Sequence, residues 1–125
     1  MPNSRNRSVL LGITLLIAAG LRMGLPGLTE YKADEARLYS LSLDMAEGIH
    51  FPLHGIKSSV GIPNFPLSVW VYSVPAFFWK HPYSATLFTG LLNTLSVFGC
   101  WWVVRRYWGA QAALATAFMY AVSPW

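Results

Sequence analysis

Asp34 and Glu35 stand side by side, and Arg37 follows Asp34 by three residues, roughly one helical turn. They belong to the stretch from Glu30 to Lys57, which gathers most of the chain's charge. A carboxylate such as Asp34 can act as a general base or orient an acceptor hydroxyl, provided it is ionised and close to substrate. The start of a helix favours that negative charge. A guanidinium such as Arg37 can grip a phosphate with two parallel hydrogen bonds, and Lys57 offers a second cation. The same residues also make an ordinary helix start. Asp34 can be an N-cap, Glu35 can complement the helix dipole, and Arg37 can pair with Asp34 or touch a lipid headgroup. The readings are compatible, because a capping carboxylate keeps a second oxygen free.

Other chemistry is poorly represented. His50 and His54 are four residues apart, with Asp44 and Glu47 upstream, but Pro52 between the histidines argues against a shared helix face. These four residues could hold a divalent metal, but one is not indicated, and no cofactor is expected. Cys100 is the only cysteine, so neither a disulfide within the chain nor a cysteine-based metal site can form. The sequence has no P-loop, Gly-rich dinucleotide fingerprint, HExxH or GxSxG motif.

The elements that must carry these residues read as membrane. Of 125 residues, 54% are hydrophobic and 11% charged, against about 25% charged in a soluble domain. Six tryptophans suit interfacial belts. The net charge of +4 is spread thinly, with no basic run for nucleic acid. Four apolar segments stand out, at about 9–25, 62–79, 85–104 and 109–125. The first is expected to be an uncleaved span, with Arg22 snorkelling at its far end. Pro63 and Pro66 suit the entrance of the second segment, and Pro75 should kink it. Asn93, Thr94 and Ser96 should join helices together.

The connector 26–61 is too long for a turn. Within it, ADEARLYSLSLDMAEG has Asp34 as its expected cap and Gly48 as its expected close. Leu38, Leu41 and Met45 share a face, while Arg37, Asp44 and Glu47 can face water or headgroups. An amphipathic helix lying on the membrane surface is expected, followed by an irregular Gly/Pro/Ser stretch. The expected fold is all-α and membrane-embedded, with about four transmembrane helices and this juxtamembrane helix. A cytoplasmic N-terminus puts the 30–57 stretch outside and Lys80 inside. It also puts Arg105 and Arg106 outside, against the positive-inside trend.

The order of these parts carries a resemblance. A span ending in Arg22 leads to GLPGLTEYKADEARLYSLSLDMAEGIHFP, a Gly/Pro loop and GIPNFPLSVWVYSVPAFF, then a span ending VVRRYWG and a last one ending AVSPW. From about residue 9 to 125, this resembles the N-terminal quarter of the GT-C glycosyltransferases that use lipid-linked sugars. These are the family-39-like, protein-mannosyltransferase and aminoarabinose-transferase relatives. In that family an acidic residue in the first non-cytoplasmic loop is the catalytic base or orients the acceptor. The resemblance maps that role to Asp34, with Glu35 its motif partner and Arg37 a contact to the carrier phosphate. Asn64-Phe65-Pro66-Leu67 departs from the Lys-Pro-Pro-Leu entrance of the aminoarabinose branch. The chain is therefore closer to the broad branch than to the lipid A-modifying one.

The resemblance implies sugar transfer from a polyprenyl-phosphate donor to an extracytoplasmic acceptor. It also implies a multi-pass protein of the plasma (inner) membrane, with lipids and the lipid-linked donor as partners. Family members need several hundred residues, so residues 1–125 are expected to be an N-terminal fragment without activity of its own. The alternative is a small, non-catalytic four-span protein that assembles with a partner.

Overall fold

The computed structural model describes residues 4–28 and 31–123. Those residues are all-helical: α1 (Ser4–Met23), a 3-10 turn (Pro26–Leu28), α2 (Ala33–Ala46), α3 (Leu67–Phe78) and α4 (Pro82–Val122). Two helices, α1 and α4, are long and apolar enough to cross a membrane. The expectation of four spans is not met by helix length. The second expected span forms a helix of only 12 residues, about 18 Å long, against a hydrocarbon core of about 30 Å. Residues 85–104 and most of 109–125 fall on the two limbs of α4, two helices joined across a kink over 41 residues. Gly109 interrupts it with φ 85° and ψ 175°, a conformation open essentially to glycine alone. The chain divides into two compact units, Met1–Pro26 with Thr89–Trp125, and Gly27–Phe88.

In the first unit, α1 packs against both limbs of α4. The limb before Gly109 starts beside the end of α1. A Cβ added at Gly90 would stand 2.7 Å from the Arg22 carbonyl oxygen, so only glycine permits this approach. That limb then runs back until Trp101 and Arg105 line a pocket with Arg7 and Leu11. The limb after Gly109 begins at the same pocket with Ala110 and Leu114. It returns along α1 until Ala121 meets Arg22. Arg7 and Arg105 therefore share one end of the unit, and Arg22, Gly90 and Ala121 share the other. The core is small: Ala18, Val97, Ala117 and Ala121, flanked by Leu15 and Trp101. Ala113, Ala117 and Ala121 are all buried and recur every fourth residue, one face of a helix set for close packing.

Arg22 does not snorkel. It is only 3% exposed, and its guanidinium donates to the Ala121 carbonyl at 2.7 Å and the Tyr120 carbonyl at 2.8 Å. These are among the last carbonyls of α4, which have no partner within the helix and carry its negative dipole end. The Tyr120 ring lies 5.6 Å from the guanidinium carbon. Thr94 and Ser96 do not bridge helices either. Their hydroxyls donate to Gly90 and Leu92 of their own helix.

In the second unit, α2 packs against α3. Trp70 anchors the intervening stretch. Its indole donates to the Pro52 carbonyl at 3.0 Å, and Phe51 and Phe65 pack on its ring. The stretch is more regular than expected. The Gly55 N–H donates to the Asn64 carbonyl, the Asn64 N–H to that of Ile56 and the Ser58 N–H to that of Ile62, with Gly61 at φ 81° in the turn. Pro66 precedes α3, and Pro75 sits in its last turns. Lys80 bonds Glu47 at 2.9 Å, so these two residues lie together rather than on opposite sides of a membrane.

Candidate functional site

The acidic pair sits in the first turn of α2, but its members divide the work differently from expectation. Lys32 occupies the N-cap position, not Asp34. The Glu35 carboxylate reaches back and accepts the Lys32 backbone N–H at 3.1 Å, the acidic half of a capping box. A lysine side chain cannot accept hydrogen bonds from the other free N–H groups, so the glutamate three residues on takes the capping role. Asp34 is one turn position earlier and exposed. Among the described residues it makes no hydrogen bond and no ion pair. Its two carboxylate oxygens are open to water or a ligand at a helix start that favours negative charge.

The far end of α2 closes as the sequence indicates. Gly48, at φ 73°, donates to the Met45 carbonyl, and Ile49 donates to that of Asp44, a Schellman close. The face carrying Leu38, Leu41 and Met45 is half-buried, with Tyr39 and Ser42 buried beside it. α3 packs on this helix.

Arg37 is exposed on α2 and makes no ion pair with Asp34. Lys57 is exposed in the 55–64 hairpin. Asp34, Glu35 and Arg37 thus share a helical turn, whereas no bond joins Lys57 to them. Tyr31, just before α2, has its hydroxyl pKa raised by burial, and further by Tyr39 and by Glu35. Near the C-terminal end of α2, an open, largely apolar groove of about 400 Å³ is lined by Met45, Ala46, Ser73, Val74, Phe77 and Phe78. The acidic pair does not line it. No group of three His, Cys, Asp or Glu that could hold a metal occurs among the described residues.

Sequence reasoning missed the role of Arg22 and the meeting of Arg7 with Arg105. Both depend on contacts between residues about a hundred positions apart, and no local pattern signals them. No protein-family model, curated protein or solved structure matches the chain.

Proposed function

We propose that this sequence forms the N-terminal part of an integral membrane glycosyltransferase. Its reaction moves a sugar from a polyprenyl-phosphate donor to an extracytoplasmic acceptor. One observation supports the reading: Glu35 does the capping, and among the described residues Asp34 makes no bond that would explain it. Asp34 then serves as the base that takes the acceptor's proton or orients its hydroxyl. Arg37, on the same turn, faces the donor phosphate. Lys57 is a supporting cation.

The membrane arrangement that best accommodates these contacts has α1 crossing outward and the limb of α4 before Gly109 crossing back. The limb after Gly109 turns outward again. Residues 27–88 leave and re-enter on one side, because Gly90 lies beside Arg22 and Lys80 pairs with Glu47. A single crossing by α3 would separate both pairs. Arg5, Arg7, Arg105 and Arg106 then all fall on the cytoplasmic side, as the positive-inside trend favours. The conflict inherent in four spans disappears, and the acidic pair faces outward.

The test is Asp34→Asn at the chromosomal locus. Membranes are supplied with radiolabelled polyprenyl-phosphate glucose or mannose, and sugar transfer is counted. The expected result is loss of transfer with unchanged protein abundance. Normal turnover in Asp34→Asn would remove Asp34 from the chemistry. It would leave the reading of a non-catalytic membrane protein that assembles through its exposed groove.

A further inference from the structure

The arginine end of the first unit encloses a pocket of about 130 Å³, well below the ~300 Å³ that takes a drug-sized molecule. Arg7, Ser8, Trp101 and Arg105 form its polar side, and Leu11 and Leu114 its apolar side. No acidic side chain lines it. All five acidic residues of the chain lie between Glu30 and Glu47. Two guanidiniums therefore line a small space with no carboxylate to balance them.

Two details show that this is more than a basic surface. Among the described residues, the buried Arg7 Nε–H has no hydrogen-bond partner. A buried donor of this kind needs an acceptor. The Arg105 guanidinium carbon lies 4.9 Å from the centre of the Trp101 ring, which holds the planar fork in place through a cation–π contact. The chemistry that answers an orphan N–H beside an oriented, positively charged fork is a compact oxyanion. Arginine geometry matches phosphate oxygens in pairs.

We propose that this pocket binds a phosphate group. In the membrane arrangement above it lies at the cytoplasmic headgroup level, where basic pockets between helices recruit anionic lipids. The lipid source rests on that arrangement; the phosphate chemistry does not, and neither requires the transferase reading. The site lies at the opposite end of α1 from Met23.

The experiment uses the full chain purified in detergent. Native mass spectrometry measures retention of phosphatidylglycerol against phosphatidylcholine, and calorimetry measures inorganic phosphate. Arg7→Gln and Arg105→Gln should each weaken binding about tenfold, the loss of one charged hydrogen bond. Arg106→Gln removes the same charge from the neighbouring residue, which does not line the pocket, and should leave binding unchanged. Ala110→Leu fills the space with both arginines intact and should also weaken binding, which guards against misfolding of the arginine variants. Preference for phosphatidylglycerol with this pattern assigns a lipid headgroup. The same pattern with inorganic phosphate alone assigns a soluble phosphate. If Arg106→Gln costs as much as Arg105→Gln, or if none of the variants changes binding, there is no such site.

Discussion

Gly90 and Gly99 lie on the same limb of α4 and make a matched test of how α1 packs on it. Replacing a helix-interior glycine by alanine is worth up to about 1 kcal/mol in backbone propensity. A Cβ at Gly99 meets nothing within 4 Å, so Gly99→Ala should deliver that gain, about 0.5–1 kcal/mol. At Gly90 the added Cβ stands 2.6 Å from the Met23 Cγ, 2.7 Å from the Arg22 carbonyl oxygen and 3.2 Å from its carbonyl carbon. The methionine can swing away, but the backbone cannot. To reach an ordinary contact of 3.4 Å or more, α1 and α4 must part. Overpacking of this kind costs about 1–3 kcal/mol. It also pulls Arg22 from its carbonyl partners on α4. Gly90→Ala should thus fall about 1–3 kcal/mol below Gly99→Ala, despite identical chemistry. Reversible denaturant titration of each variant in mixed micelles, followed by circular dichroism, reads the difference. Equal stabilisation by both substitutions would refute the close approach of α1 and α4. The pairing of Arg7 with Arg105 would fall with it.

Further outcomes follow from the same contacts. Arg22→Met removes two hydrogen bonds to the end of α4 and leaves carbonyls without partners, a cost of about 2–4 kcal/mol in the same titration; Arg22→Lys should recover part of it. Glu35→Ala should cost about 0.5–1 kcal/mol, whereas Asp34→Asn should stay within about 0.5 kcal/mol of the parent, because only Glu35 caps. In a Cys100→Ala background, Ser59→Cys and Lys80→Cys should be labelled by a membrane-impermeant maleimide from one side, and Arg106→Cys from the other; labelling of Lys80→Cys with Arg106→Cys would restore a crossing by α3. The fold holds the Tyr31 proton more tightly than the unfolded chain does, mainly through burial. Its contribution to stability is therefore intact below the ordinary tyrosine pKa and declines as pH rises past it. Ultraviolet titration against Tyr31→Phe should show this one hydroxyl ionising later than a free tyrosine.

Much of the local structure was legible because its causes are local. The low charge and long apolar runs called for long helices, and α1 and α4 are such helices. Gly48 closes α2 because a left-handed residue is needed there and glycine supplies it. The acidic pair was legible as a helix start, but its internal division was not. Asp34 and Glu35 differ by one position in register, and the register depends on where the helix begins. The second expected span falls short of a crossing in helix length for a related reason. Residues 62–79 are apolar enough for a crossing, yet the prolines at 63 and 66 delay the helix until Leu67, and it ends at Phe78. Apolarity measures what a segment can bury, not which neighbour covers it.

By itself, the sequence determined the helical class, the placement of acidic residues in a single connector, and the glycine that closes α2 and the proline that precedes α3. These follow from side-chain transfer energies and backbone sterics, which act within a few residues. Only the tertiary structure decided that Arg22 closes the end of α4, that Lys80 reaches Glu47, and that Arg7 and Arg105 line one pocket. The arginine contacts are brought about by the packing of small residues at Gly90 and along Ala113, Ala117 and Ala121, and the Lys80–Glu47 pair by the packing of α2 on α3. That packing energy depends on the fit between surfaces distant in the chain, and no single stretch of sequence contains both surfaces.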